Sequence, residues 1–313
     1  MASLASADSA QLKAQVANEA KAMNNMEGND EKGDLRTSWD NALGALKTMI
    51  PPVTKDDHTW EFRGVHLGEG PAAGKKMDEF LFSFLRWAQK PADRAAKSVN
   101  VSKAFRRLRT FAKYQETHAD GWFATPVKKE ECILPNKFFG MTILRENEVK
   151  SGSAIWIIDL ERCEGNFDKT SFGLTDDMLM RWLWYTMICS IFDEVVQNEG
   201  VIIIQNLKNV GFTGFVKLSR ASSSVETEMN KLFYGCCPFK MKECILTGSP
   251  WWINMLLGIM SLFLSKKMKE RIKNMTVKEA VDHCGGTEVF PVGYLGGTGT
   301  QLNEDGSNPD ERY

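Results

Sequence analysis

The stretch Trp251–Leu264, WWINMLLGIMSLFL, constrains the fold more than any other part of the chain. Eleven of its fourteen residues are large and apolar, and only Asn254, Gly258 and Ser261 interrupt them. Full burial of one such side chain is worth about 1.5–3 kcal/mol. Eleven of them left in water would outweigh the ~5–15 kcal/mol that holds a whole domain together. Crossing a bilayer takes about 20 apolar residues, and runs of 10–14 belong to cores or interfaces. The stretch is therefore no transmembrane helix, and something must cover it: a protein core, a bound lipid or a membrane surface.

Directly behind it come five cations in eight positions, from Lys266 to Lys273, with Glu270 the one acid. If the helix continues through Lys273, Leu264, Met268 and Ile272 share one face and Lys266, Lys269 and Lys273 another, with Lys267 and Arg271 between. One reading is a buried helix whose basic end offsets its own C-terminal dipole. The other is an interfacial helix whose cations meet anionic headgroups, each worth about 1 kcal/mol near such a surface.

The rest of the composition narrows the class. A length of 313 residues supports a sizeable core, and a net charge of −1 gives no global basic field to attract nucleic acid. The seven cysteines form no CxxC pair and no ligand-like spacing with the four histidines. Such an odd, scattered set fits reduced thiols in the cytosol. The first residues, MASLASADSAQLKAQVANEA, lack an apolar signal core and a glycine at position two.

Residues 1–60 read as a mostly disordered leader and a Pro-containing linker. From Met77 the spacing predicts two helices, MDEFLFSFLRWAQK and KAFRRLRTFAKYQE, the second capped by Ser102. They form a helical module over 75–120. Beyond it, strands and helices alternate. SAIWIIDL, GVIIIQNL and MKECILTG read as strands, and GVIIIQNL, apolar on both faces, argues for a sheet covered on both sides. LTDDMLMRWLWYTMICSIFDEVVQ reads as one long helix capped by Thr175, and VETEMNKLFYG as another. The order is that of an α/β fold with right-handed crossovers. QLNEDGSNPDERY with the two residues before it, 299–313, reads as a disordered tail.

Catalytic signals are sparse. YLGGTGT resembles a phosphate-cradling loop, but no helix pattern follows it. GVIIIQNLKNVGFTG lacks the GxGxxG of a dinucleotide site. His283 beside Cys284 could be half of a nucleophile pair, with no carboxylate evident to orient it. Glu130, Glu131, Asp176 and Asp177 read as solvated element ends. No enzyme, cofactor or metal site is expected.

Four segments carry a family resemblance: FLFSFLRWAQ followed by VSKAFRRLRTFAKYQ; GVIIIQNLKNVG; CPFKMKECILTGSPWWINMLLGIMSLFLSKKMKERI; and FPVGYLGGT. Together they resemble the CRAL-TRIO lipid-binding family over about 75–298, with the domain itself spanning 125–298. The resemblance implies a sheet that floors an apolar lipid cavity, closed by a gate helix and preceded by the helical module. Trp251–Leu264 would be the gate, apolar inward to the cargo and outward to the bilayer. By position in the family, Met180, Leu183 and Met187 would line the cavity from the long helix. Val201, Ile203 and Gln205 would floor it, Leu232, Phe233 and Phe239 would wall it, and Leu256, Ile259 and Met260 would form the inner lid. Gln205 is the floor residue able to hydrogen-bond a polar head.

Tocopherol-transfer members carry a basic cluster for phosphoinositides at the membrane. Lys240, Lys242, Lys267 and Arg271 fall on it, while Ala88 replaces one of its members. In the phosphatidylinositol-transfer branch a glutamate stands where this chain has Phe239, and a lysine where it has Arg271, which favours a more apolar cargo. The expected function is an intracellular, monomeric carrier of an isoprenoid, sterol-like or retinoid-like lipid, transiently peripheral at anionic membranes. Phospholipid exchange and a lipid-sensing module with a protein partner are the alternatives.

Overall fold

The computed structural model describes residues 35–50, 65–118, 120–144, 152–163, 172–214, 223–260, 262 and 264–302. The first 34 residues and 303–313 lie outside them, as does most of the expected linker.

The helical module begins earlier than the sequence reading placed it. A short strand β1 (Arg36–Ser38) leads into α1 (Trp39–Met49), whose Ala42 and Leu46 are fully buried. Two burying residues a turn apart are too faint a pattern to stand out in a polar leader. Then come α2 (Met77–Ala88), α3 (Pro91–Ala95), β2 (Ser98–Asn100), antiparallel to β1, and α4 (Val101–His118). Helix α2 buries Phe80, Leu81, Phe84, Leu85 and Trp87, a stripe at the 3–4 spacing of a core-facing helix. It stops short of Pro91, which opens α3 at the first helical position, where its missing N–H costs nothing. The cap of α4 is Asn100, whose side chain accepts the Lys103 N–H at 2.8 Å. Ser102 instead takes the Leu35 N–H at 2.9 Å, so it ties down the start of β1.

After α5 (Ile133–Phe139) the chain builds a five-stranded sheet. Its strands are β3 (Met141–Leu144), β4 (Ala154–Asp159), β5 (Val201–Asn206), β6 (Met241–Thr247) and β7 (Ile272–Met275), in that spatial order. β4 to β7 are parallel and β3 runs antiparallel at one edge. The three strands read from sequence are the middle three. Between β4 and β5 lie α6 (Asp176–Phe192) and α7 (Glu194–Glu199). The expected single helix breaks at Asp193, whose carboxylate caps α7 through the Val196 N–H at 2.8 Å. Gly200 ends α7 at φ 79°, and a Cβ there would lie 2.5 Å from the Lys240 carbonyl oxygen. Only glycine fits. Between β5 and β6 come α8 (Ser223–Asn230) and a π-helical turn, Lys231–Cys236. Beyond β6 are α9 (Trp252–Met260), α10 (Lys266–Arg271), β7 and α11 (Val277–Cys284).

Beyond its first turn and Arg181, helix α6 is apolar on most sides, burying Leu179, Trp182, Leu183, Trp184, Met187, Ile188 and Ile191. Such a helix belongs inside. Its Trp184 stacks on Phe111 of α4 at 5.7 Å, and Phe111 meets Phe80 and Phe84 of α2 at 5.4 and 5.6 Å. Module and sheet therefore share one core. A second core lies behind the sheet, where Ile155, Ile157, Ile202, Ile204 and Ile245 meet Ala280, Val281 and Cys284 of α11 and Phe290 beyond it.

Candidate functional site

Alternation along the strands sends Trp156, Val201, Ile203, Cys244 and Leu246 to the front of the sheet, into the main core with α6. Gln205 shares that face, and its half-buried side chain has no side-chain partner among the described residues. Behind the π-helical turn, Phe233 and Phe239 pack on Trp156, with ring centroids 5.5 and 5.4 Å away and 5.2 Å from each other. Leu232 is fully buried beside them. Leu183 and Met187 belong to this same core, whereas Met180, nearer the start of α6, sits in a satellite cluster with Phe138, Leu174 and Leu179. Trp156 is 2% exposed, and its indole nitrogen is buried without a hydrogen-bond partner.

Helix α9 lies over this core with two different faces. Trp252, Ile253 and Leu256 point in and are buried. Trp251 and Met255, four apart, are 81% and 50% exposed, and Leu262 just beyond is 78% exposed. The side chains of Ile259 and Met260, expected on the inner lid, lie outside the described residues. Asn254, the single polar side chain of α9, accepts a hydrogen bond at 3.0 Å from the Asn274 amide on β7. The helix does not run on to Lys273 as the wheel supposed. Ser265 caps a separate helix, α10, through the Met268 N–H at 3.2 Å, and Ile272 already pairs with Cys244 in the sheet. The predicted apolar face survives in part, since Leu264 and Met268 are buried.

The four basic positions have distinct surroundings. Lys267 is exposed on α10, together with Lys266 and Lys269. Lys242 is exposed at the start of β6 and meets Glu199 at 3.4 Å. Arg271 is half-buried, with Nη1 3.8 Å from the Met268 sulfur. The register Cys244 to Ile272 brings Lys242 and Arg271 to the same edge of the sheet. Lys240 is turned inward: its ammonium donates to the carbonyl oxygens of Arg86 at 3.2 Å and Gln89 at 2.6 Å. It thus caps the end of α2, where carbonyls lack helical partners. Burial, with Arg94 and Lys103 nearby, pushes its pKa down to about 8.

Residues 140–285 match the family model described as the CRAL/TRIO domain. These residues form a CRAL/TRIO domain. Among solved structures, one described as the crystal structure of Sfh5 superposes with a TM-score of 0.51 at 11% identity, covering 86% of this chain and 90% of that one. That likeness is one of fold and takes in the helical module. Among curated proteins, tyrosine-protein phosphatase non-receptor type 9 of Mus musculus and of Homo sapiens is 22% identical over 106 residues. The match covers 34% of this chain and 17% of those proteins. CRAL/TRIO domains form a lipid-binding and lipid-transfer family. No described helix is long and apolar enough to cross a membrane.

Within and beside the CRAL/TRIO domain, the other motifs have structural explanations. In YLGGTGT, a Cβ on Gly297 would lie 2.2 Å from the Phe290 carbonyl oxygen, and one on Gly299 2.3 Å from that of Glu288. The glycines let two stretches of backbone pack together. His283 does have a carboxylate, Glu243 at 2.7 Å, but Cys284 is buried and its pKa is raised to about 11 by that burial. A thiol so suppressed is a poor nucleophile. Glu131 is held by Arg181 in a two-pronged pair of 2.7 and 2.9 Å, which ties α6 to the turn Lys129–Cys132 ahead of α5. A groove of about 370 Å³ runs between α4 and the π-helical turn, lined by Lys113, Tyr114, His118, Glu228 and Lys231. Its carboxylate already pairs with His118 at 3.2 Å and Lys231 at 2.6 Å.

Proposed function

We propose that this chain is a lipid carrier: it holds one hydrophobic lipid of isoprenoid, sterol-like or retinoid-like class against the front of the sheet and exchanges it with membranes through α9. The observation that carries this reading is the double-sided character of α9. A core helix at a surface would turn polar residues outward, yet here Trp251, Met255 and Leu262 face water. Exposed large apolar side chains of this kind favour a lipid or protein surface. Next to them the exposed lysines of α10, Lys266, Lys267 and Lys269, supply attraction to anionic headgroups of about 1 kcal/mol each. On membrane contact the outer face of α9 enters the interface, the helix lifts, and cargo passes between bilayer and protein.

The lining supports an apolar cargo. Leu183, Met187, Ile203, Leu232, Phe233, Phe239 and Leu256 supply aromatic and flexible contacts, and sulfur-bearing chains adapt to irregular shapes. Phe239 packs on Trp156, so the wall offers no charge to a phosphoinositol head. Lys240 in this account anchors the module to the sheet, and docking falls to Lys266, Lys267 and Lys269, with Lys242 and Arg271 at the neighbouring edge.

The test is transfer of a fluorescent isoprenoid between vesicles containing phosphatidylserine. The double variant Trp251→Ala, Met255→Ala should slow transfer at least tenfold while cargo affinity stays within twofold. Unchanged transfer would remove α9 from the mechanism. Binding without net transfer by the native chain would favour a lipid sensor.

A further inference from the structure

The strand positions that form the front of the sheet's centre are Ala154, Trp156 and Ile158 on β4, Val201, Ile203 and Gln205 on β5, and Cys244 and Leu246 on β6. None carries a charge, and Gln205 is the one polar side chain apart from the indole N–H of Trp156. Of the two, the indole N–H is the buried orphan. The Trp156 nitrogen is fully buried with no acceptor, while the Gln205 side chain is half-buried and has no side-chain partner among the described residues. Buried polar groups are nearly always paired, so an orphan of this kind calls for an explanation such as a ligand or water. Its desolvation cost is otherwise uncompensated. In the register Trp156 opposes Ile203, and Gln205 opposes Ile158. Trp156 and Gln205 are thus diagonal neighbours on one face of adjacent strands, within reach of one another's long side chains.

We propose that Trp156 and Gln205 form a head-group subsite that holds the oxygen of a neutral lipid, an alcohol or a carbonyl. The proposal rests on the carrier reading above and specifies its cargo. An indole N–H can only donate, whereas a carboxamide both donates and accepts. A lipid hydroxyl can accept from Trp156 and donate to the Gln205 carbonyl, and a ketone or aldehyde can accept from both. A phosphate or carboxylate finds no cation among these described strand positions and would be buried unpaired, which is costly. A hydrocarbon leaves the indole N–H orphaned. Sites built around a hydrogen bond reject analogues that lack the partner far better than apolar pockets reject a change in size. Phe233 and Phe239, packed on the indole, would shift to admit the oxygen while keeping water out.

The experiment measures binding of three probes to the full chain: geranylgeraniol, the hydrocarbon with the same skeleton, and the acid with the same skeleton. The native protein should prefer the alcohol to the hydrocarbon by roughly tenfold, about 1.4 kcal/mol. Trp156→Phe and, separately, Gln205→Leu should each bring that ratio towards one, while hydrocarbon affinity stays within twofold. Because each ratio is taken within one variant, a general loss of packing cancels. An unchanged ratio in both variants, or tightest binding of the acid, would overturn the subsite and leave the carrier reading standing. Failure of the native protein to bind any of the three would overturn the isoprenoid carrier reading itself.

Discussion

The two faces of the sheet are built from different materials. Behind it stand Ile155, Ile157, Ile202, Ile204 and Ile245, β-branched and stiff at χ1, closed over by α11 and a segment whose glycines touch backbone. In front, beside the β-branched Ile158, Val201 and Ile203, stand Trp156, Met187, Phe233, Phe239, Cys244 and Leu246, a more varied set that includes the unpaired indole N–H of Trp156. A close-packed core needs the first kind of surface; a face that must admit and release a guest can use the second. The contrast teaches that rigidity is concentrated behind the sheet, so the front can repack without loss of the fold.

The sharpest way to break this contrast is to cut one residue on each side. Ile204→Ala, behind the sheet, should cost about 2–5 kcal/mol of stability in thermal or denaturant unfolding, with lipid stoichiometry unchanged. Leu183→Trp, in front, should cost about 1–3 kcal/mol and abolish stoichiometric lipid. Equal losses of lipid in both would mean the two faces are one core.

Lys240 sharpens the account of how the front face is anchored to the helical module. With its pKa lowered to about 8, the folded chain binds fewer protons there than the unfolded chain, up to the ordinary lysine value near 10.4. Stability of the native protein should therefore rise as pH climbs from about 8 to 10.4, relative to Lys240→Met, by about 3 kcal/mol at most. Below pH 8 the difference should be flat. Parallel curves throughout would mean the ammonium is not desolvated.

The smallest effect expected is at the lid. Asn254→Ala removes the hydrogen bond to Asn274 and should speed lipid release two- to fivefold in stopped-flow measurements, the scale of one exposed hydrogen bond. No change would mean that apolar contacts alone hold α9 down.

The middle of the sheet was legible because SAIWIIDL, GVIIIQNL and MKECILTG are long enough to declare themselves. The edge strands MTIL and IKNM are four residues each, too short for any period to emerge. The basic helix was read too long because Ile272 continues the stripe of Leu264 and Met268; only the Ser265 cap marks the break. Helix α9 was legible as an apolar element from its content alone. Lys240 was read as a surface cation because its inward turn depends on the free carbonyls of α2, 151 and 154 residues away in sequence. Trp156 escaped notice for a plainer reason. A tryptophan in a strand reads as core, and nothing in sequence reveals that its N–H lacks an acceptor.

The most direct test of the central claim is native mass spectrometry of the full chain after incubation with vesicles carrying a neutral isoprenoid alcohol, alongside Leu183→Trp. The account predicts one lipid per native chain and none on the variant. Bare-chain mass for the native protein, or equal loading of both, would contradict it.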